Sequence, residues 1–309
     1  MKHALTQSLS YRPIHRATRH RARVRDHRMQ WLSWGTPSVH APPLVLLHGW
    51  MDVGASFQFV VDALPQPRWV LAPDLRGFGG SMGVRQDHFF FPDYLADLDA
   101  WLETVGATQP VDLLGHSMGG HVAMLYAGVR PERVRRLINV EGYGMAATQP
   151  SQAPARFARW LDELQALRRG EKNLRPYSSV QAVAARLQQT NPRLPADKAA
   201  WLARHWAKKG ADGLWRIAGS AAHKVSSAQL FRVDEVLAVY AAIEAPTLLL
   251  EAAHDSLPAW WQGRYTRKEF YQRLTAVKQL THHFIDNAGH MVHHDQPAAV
   301  AQHVAAHTA

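Results

Sequence analysis

The sequence predicts an α/β protein with a mostly parallel sheet flanked by helices and an inserted helical cap. Short apolar runs of the length of buried strands recur at residues 44–47, 69–72, 111–114, 135–140, 246–251 and 280–285. Helical patterns, including 89–105 and 119–129, separate most of these runs. This alternation is typical of right-handed strand–helix–strand crossovers in a parallel sheet.

The alternation of strands and helices breaks between the fourth and fifth of these strands. Residues 145–235 have mainly helical patterns and contain Trp160, Trp201, Trp206 and Trp215. The sequence therefore predicts that residues 28–144 and 236–309 form one core, with 145–235 inserted as a cap over the strand ends. Such a cap would exclude water from a site at those ends and leave a largely apolar pocket.

The first 27 residues differ from this core in charge. Residues 1–28 contain eight Lys or Arg and one Asp, which is +7 of the formal net charge of +10. We interpret 1–27 as a disordered basic arm, for which binding to nucleic acid or to an anionic membrane is a secondary possibility. The alternating residues 28–35 predict an edge strand directly after the arm.

The most informative segment is Gly115-His116-Ser117-Met118-Gly119, which lies between the apolar run 111–114 and a helical pattern. A G-x-S-x-G pattern between a strand and a helix places the serine on a sharp turn, with its hydroxyl exposed at the end of a sheet. The alternative is an ordinary Gly-Ser turn. The strand and helix on either side favour Ser117 as a nucleophile.

Other segments supply the remaining parts of an acyl-transfer site. The strand 44–47 runs into His48-Gly49-Trp50, where the backbone amide of Trp50 could join that of Met118 in an oxyanion hole. Asp255 follows the strand 246–251, and His290 lies just beyond the last strand. His290 is the expected base and Asp255 the expected acid, with Glu141, at the end of 135–140, as the alternative acid.

At these residues the chain resembles the α/β-hydrolase family, and more loosely its serine hydrolase-like branch. Asp74-Leu75-Arg76-Gly77-Phe78-Gly79-Gly80-Ser81 resembles that family's D-x-R-G-x-G-x-S segment. The resemblance implies a Ser117–His290–acid triad that works without a metal or an organic cofactor. His48, His116, Trp260 and Trp261 lie close to these motifs and are candidate substrate-binding residues.

The predicted function is a serine hydrolase that cleaves a carboxylic ester or a related small acyl compound. The chain has no Cys, which excludes a catalytic thiol and a disulfide scaffold. A non-catalytic receptor or scaffold with this fold, or a carbon–carbon bond hydrolase, remains an alternative. With neither an apolar run long enough to span a membrane nor a secretory signal pattern, a cytoplasmic location is expected.

Overall fold

The computed structural model describes residues 10–38, 41–82 and 86–309, and it contains a large mixed sheet with helices on both faces. The strands are β1 Thr18–Val24, β2 His27–Trp34, β3 Leu44–Leu47, β4 Val70–Pro73, β5 Val111–His116, β6 Val134–Val140, β7 Ala207–Lys209, β8 Trp215–Ile217, β9 Thr247–Ala252 and β10 Leu280–Ile285. The α-helices are α1 Gln58–Asp62, α2 Phe91–Thr104, α3 Met118–Val129, α4 Ala153–Arg168, α5 Val180–Thr190, α6 Ala196–Trp206, α7 Val233–Ala241, α8 Leu257–Trp261, α9 Arg267–Leu274, α10 Val292–Asp295 and α11 Pro297–His307.

The main sheet has eight strands in the order β1-β2-β4-β3-β5-β6-β9-β10. β1 pairs antiparallel with β2, and β2 antiparallel with β4, while all other neighbours are parallel. The predicted α/β class and mostly parallel sheet are confirmed. Because β3, β5, β6 and β9 are parallel neighbours, their carboxyl ends meet at one edge, where ligands bind in sheets of this kind.

The prediction of a disordered arm is wrong for the part of residues 1–27 that forms β1; residues 1–9 lie outside the described residues. Each residue of β1 pairs with one in β2, from Thr18 with Ser33 to Val24 with His27. The side chains of Ala22 and Val24 alternate with arginines, so one face of β1 is apolar and packs on the core. β1 is therefore the edge strand of the sheet. The stretch predicted as the edge strand forms β2, which lies between β1 and β4.

Two hydrophobic layers cover the faces of the sheet. In β3, Val45 and Leu47 join the layer that includes α2 and α3, whereas Leu44 and Leu46 join the layer that includes α1 and α11. All four side chains are fully buried. A strand buried on both faces requires a continuous apolar run, which explains why β3 was recognisable in the sequence.

The stretch predicted as a cap contains α4, α5 and α6, the short antiparallel pair β7–β8 and the start of α7. Trp201, Trp206 and Trp215 pack around a separate small core that includes Val183 and Leu202. The predicted helical character agrees with these elements. That this stretch covers Ser117 and encloses an apolar pocket stays a prediction.

Within the described residues, no helix combines the length and the apolar character needed to cross a membrane.

Candidate active site

Ser117 occupies the sharp turn between β5 and α3. Its backbone has φ 52° and ψ −115°, outside the regions that residues other than glycine normally adopt. The Ser117 N–H donates to the carbonyl of Val140 at 2.9 Å, which fixes the turn to the end of β6. Strain held by surrounding bonds in this way is typical of functional positions.

Glycines make the tight turn around Ser117 sterically possible. A Cβ at Gly115 would overlap the carbonyl of Gly119, and one at Gly119 would overlap the carbonyl of Leu47. A Cβ at Gly49, in the loop after β3, would lie 3.2 Å from the Ser117 Cβ. The loop after β3 therefore lies directly against the nucleophile turn.

Replacing Gly119 with Ala is expected to lower the free energy of unfolding by about 3 kcal/mol, since the new methyl group overlaps backbone that cannot rotate away. Gly106→Ala is the matched control. Gly106 has φ 72° and open space around it, so its variant incurs only the conformational cost of about 1–2 kcal/mol. Urea denaturation compares the two variants; equal losses would contradict the steric role of Gly119.

Ser117, His290 and Glu141 form a continuous chain of hydrogen bonds. The Ser117 hydroxyl lies 2.9 Å from His290 Nε2, and His290 Nδ1 lies 3.0 Å from Glu141 Oε2. Since Glu141 is the acceptor at Nδ1, that nitrogen carries the proton and Nε2 is free to accept one from Ser117. The ring is therefore oriented as a general base towards the hydroxyl.

Glu141 is buried at the end of β6 and is held by four hydrogen bonds. Oε1 accepts from the Tyr143 hydroxyl and the Ala252 N–H, each at 2.8 Å. Oε2 accepts from the Ser256 hydroxyl at 2.9 Å as well as from His290. Burial, reinforced by the charge of Glu141, raises the pKa of Tyr143, so its hydroxyl stays protonated and donates. These donors compensate the cost of burying a carboxylate.

The expected pairing of His290 with Asp255 is wrong in this structure, because the alternative acid, Glu141, occupies His290 Nδ1. The Asp255 side chain is 37% exposed and lies 3.7 Å from Arg267 Nε. Its Oδ1 accepts from the N–H of Leu257, the first residue of α8, at 3.0 Å. Asp255 thus organises the loop after β9, and the neighbouring Ser256 supplies the hydroxyl that reaches Glu141.

The two candidate oxyanion donors belong to the segments next to Ser117, namely the start of α3 and the loop after β3. Met118 is the first residue of α3, so its N–H has no acceptor within the helix. Trp50 follows Gly49 in the loop that lies against Ser117, and its side chain is 48% exposed. This arrangement is compatible with the predicted pair of amides, whose role stays a prediction.

His48 and His116, which the sequence predicts as substrate contacts, are buried in this structure and bonded to backbone groups. His48 is fully buried; its Nδ1 donates to the Gly49 carbonyl at 2.8 Å, and its Nε2 accepts from the Leu75 N–H at 2.9 Å. His116 is buried too, and its Nε2 donates to the His290 carbonyl at 2.8 Å. Burial, with His293 and His290 nearby, holds the pKa of His116 well below its usual value. Both rings therefore support the loops around Ser117 through backbone hydrogen bonds.

Of the two candidate tryptophans, Trp260 is the one whose ring lies against the Ser117–His290–Glu141 triad in the described part of the chain. Its ring centroid lies 5.6 Å from that of His290, and its side chain is 56% exposed. Trp261 packs instead against Tyr265, with ring centroids 6.0 Å apart, and on the core. Trp260 is therefore the better candidate for contact with a substrate.

Two groups of side chains among the described residues have the composition of a metal site, although the sequence predicts none. Asp52, His293 and His294 are buried together, and their possible ligand atoms lie within 4.8 Å of one another. The Ser56 hydroxyl joins two of them, donating to Asp52 at 2.8 Å and lying 2.7 Å from His294. The second group is Asp26, His27 and Asp97, whose carboxylates already pair with Arg76.

Sequence reasoning missed the residues that hold Glu141 and the loop after β3. For the residues that hold Glu141, the sequence signal was the close spacing of Glu141, Gly142 and Tyr143. In the structure these residues form a turn in which the Asn139 side chain bonds the N–H and the carbonyl of Gly142. For the loop after β3, the signal was Asp74 in the D-x-R-G-x-G-x-S segment, which accepts from the Gly54 N–H at 2.8 Å. These contacts position the site without touching the reacting atoms.

This fold and the Ser–His–Glu arrangement define the class of protein, and comparison with known proteins identifies its family. Residues 42–297 match the family model described as the alpha/beta hydrolase fold, so the chain belongs to this family. It is 26% identical to a "Serine hydrolase-like protein" of Danio rerio, over 87% of this chain and 81% of that protein.

A second relative and a solved structure extend the comparison. The chain is 32% identical to the "(Lyso)-N-acylphosphatidylethanolamine lipase" of Mus musculus, over 48% of this chain and 39% of that protein. The structure "Thioesterase Domain From Curacin Biosynthetic Pathway" superposes with a TM-score of 0.81 at 25% identity, covering 94% of this chain and 99% of that one. Hydrolases, including serine hydrolases, lipases and esterases, are thus the proteins that this chain is similar to.

Proposed function

We propose that this protein is a serine esterase that cleaves small or medium-sized uncharged carboxylic esters through an acyl-enzyme on Ser117. The observation that carries the proposal is the chain of hydrogen bonds from Ser117 through His290 to Glu141, with distances of 2.9 and 3.0 Å. A serine hydroxyl is a weak nucleophile until a positioned base can take its proton, and this geometry provides that base. The resemblance to hydrolases supports the same reaction class.

In the proposed reaction, the Ser117 oxygen attacks the ester carbonyl while its proton passes to His290 Nε2. The amides of Trp50 and Met118 would stabilise the resulting oxyanion, each contributing about 3 kcal/mol. Glu141 stabilises the imidazolium through Nδ1. His290 then gives the proton to the leaving alcohol, and water, deprotonated by the same ring, releases the acid and regenerates Ser117. No step requires a metal or an organic cofactor.

The acyl side of the substrate would lie where Ser117 and His290 are accessible. The His290 side chain is 19% exposed, the half-exposed ring of Trp260 lies beside it, and Trp50, also half-exposed, belongs to the loop against Ser117. Aromatic surfaces of this kind favour an uncharged acyl group over a polyanion. The structurally similar thioesterase domain has the same fold. A panel of test substrates should therefore pair each oxygen ester with the thioester of the same acyl chain.

The test is covalent labelling with a fluorophosphonate. We expect one phosphonyl adduct per chain, located by peptide mapping on Ser117, because its hydroxyl is bonded to His290, a base that Glu141 orients. Ser117→Ala should take up no label, and heat-denatured wild type should also stay unlabelled, since the reactivity depends on the folded site. Absence of an adduct on folded wild type, or an adduct on another residue, would refute the proposal.

A further inference from the structure

The basic strand β1 forms one wall of a cavity that the proposed esterase reaction does not use. The cavity has a volume of about 230 Å³ and lies between the pair β1–β2 and the end of α6 with the adjoining strand β7. Asp74 and Gly79, from the loop after β4, also line it. Its volume is below the ~300 Å³ at which pockets for drug-sized molecules begin, so it suits a small polar group.

Four cationic side chains converge on this cavity. Arg19 and Arg21 alternate along β1 and so point to the same face, while Arg204 lies in the last turn of α6 and Lys208 in β7. Among the described residues, none of the four forms an ion pair with a carboxylate, and the remaining residues contain no Asp or Glu. No carboxylate of the chain is therefore paired directly with any of these four cations.

The hydrogen bonds of these cations lead to the same conclusion. Arg21 donates to the neutral side-chain oxygen of Gln30 at 2.9 and 3.0 Å, and Lys208 donates to the Gly79 carbonyl. Within the described residues, the guanidinium groups of Arg19 and Arg204 have no hydrogen-bond acceptor. Guanidinium groups without acceptors can bind an oxyanion in a bidentate manner.

Asp74 is the carboxylate of the cavity, but its oxygens are already engaged. It accepts from the Gly54 N–H at 2.8 Å, the Gly80 N–H at 2.7 Å and the Gln30 amide at 2.7 Å. These three donors fix Asp74 in the wall, where it offsets one of the four charges. The cavity keeps an excess of positive charge that favours a dianion over a monoanion.

The pKa values of two groups at the cavity are lowered, mainly by burial and in part by neighbouring cations. Burial lowers the pKa of Lys208, and Arg21 and Arg19 lower it further against the opposing effect of Asp74. Burial also lowers the pKa of His205, in the same direction as the charges of Arg19 and Arg204. Cations that lie close together repel one another, and a bound anion would relieve that repulsion.

We propose that this cavity binds the phosphate group of a small ligand, held by Arg19, Arg204 and Lys208. A phosphate dianion supplies the charge and the pairs of oxygens that can accept hydrogen bonds from two guanidinium groups. The phosphate could belong to a free phosphate ester or to the headgroup of a phospholipid. The experiment below distinguishes these two sources.

The test compares full-length wild type with the double variant Arg19→Gln/Arg204→Gln. Binding of inorganic phosphate and glycerol 3-phosphate is measured by calorimetry and by the shift in Tm, at an ionic strength held constant with chloride. Co-sedimentation with phosphatidylcholine vesicles, with and without phosphatidic acid, provides the second arm. The matched control is Arg23→Gln/Lys209→Gln, which removes the same charge from β1 and β7 at positions that do not line the cavity.

We expect saturable binding by wild type, weakened roughly tenfold or more in the cavity variant and less than about twofold in the control. In chloride alone the cavity variant should have an unchanged or higher Tm, because repulsion has been removed. Binding of the soluble phosphates assigns the site to a free phosphate ester, and binding only to phosphatidic acid vesicles assigns it to a lipid headgroup. If wild type binds none of these probes saturably, or if both variants lose binding equally, the proposal is wrong.

Discussion

Ser117→Ala is expected to reduce the kcat for a carboxylic ester by roughly 10⁵-fold or more, with little change in stability. The Ser117 oxygen is the attacking atom of the proposed reaction, and its one described side-chain bond is to His290 Nε2. Ala meets the same backbone requirement at φ 52° as Ser does, so the turn survives. Steady-state kinetics on a chromogenic ester, together with the Tm of the variant, measure both quantities.

The size of the remaining rate separates chemistry from binding in this variant. The backbone amides near Ser117 and any substrate contacts remain, so a small rate above that of water is expected. Binding of a non-hydrolysable ester analogue should be unchanged and serves as the control. Turnover close to that of wild type would show that Ser117 is not the nucleophile and would leave the non-catalytic alternative for this fold open.

The parts of the fold that the sequence predicted are those in which burial dictates residue type. β3, β5 and β9 are buried on both faces, so their apolar runs could be recognised, with ends that agree within two residues. β1 was missed because its exposed face contains arginines whose charge dominates the composition. The pairing with β2 that orders this strand depends on backbone hydrogen bonds, which any side chain can make.

The position of the acid depends on three-dimensional contacts that motif order does not contain. β6 and β9 are neighbours in the sheet, so Glu141 and Asp255 leave it at the same edge and either could approach His290. The local hydrogen bonds decide between them: Tyr143, Ser256 and the Ala252 amide bind Glu141, while the Leu257 amide binds Asp255. The same limit applies to His48 and His116, whose proximity to the motifs was visible but whose hydrogen-bond partners were not.

Glu141→Gln is expected to reduce kcat by roughly 10³- to 10⁴-fold, whereas Asp255→Asn should stay within about twofold of wild type. The amide of Gln offers a donor where His290 Nδ1 now finds an acceptor, which favours the tautomer with a protonated Nε2 that cannot accept from Ser117. Asp255→Asn retains an oxygen that can accept from the first N–H of α8 and removes only a half-exposed charge near Arg267. Kinetics on one ester under identical conditions compare the two variants.

The stability of the Glu141 variant must be known, because Glu141 accepts four hydrogen bonds and the Gln nitrogen accepts none. Tyr143→Phe is the matched control: it removes one donor to Glu141 but leaves the carboxylate beside His290, so it should lower the Tm while retaining most of the activity. Fluorophosphonate labelling should slow in parallel with kcat in Glu141→Gln and stay rapid in Tyr143→Phe. If Asp255→Asn loses as much activity as Glu141→Gln, or if folded Glu141→Gln turns over normally, then the hydrogen bond between His290 and Glu141 does not orient the base.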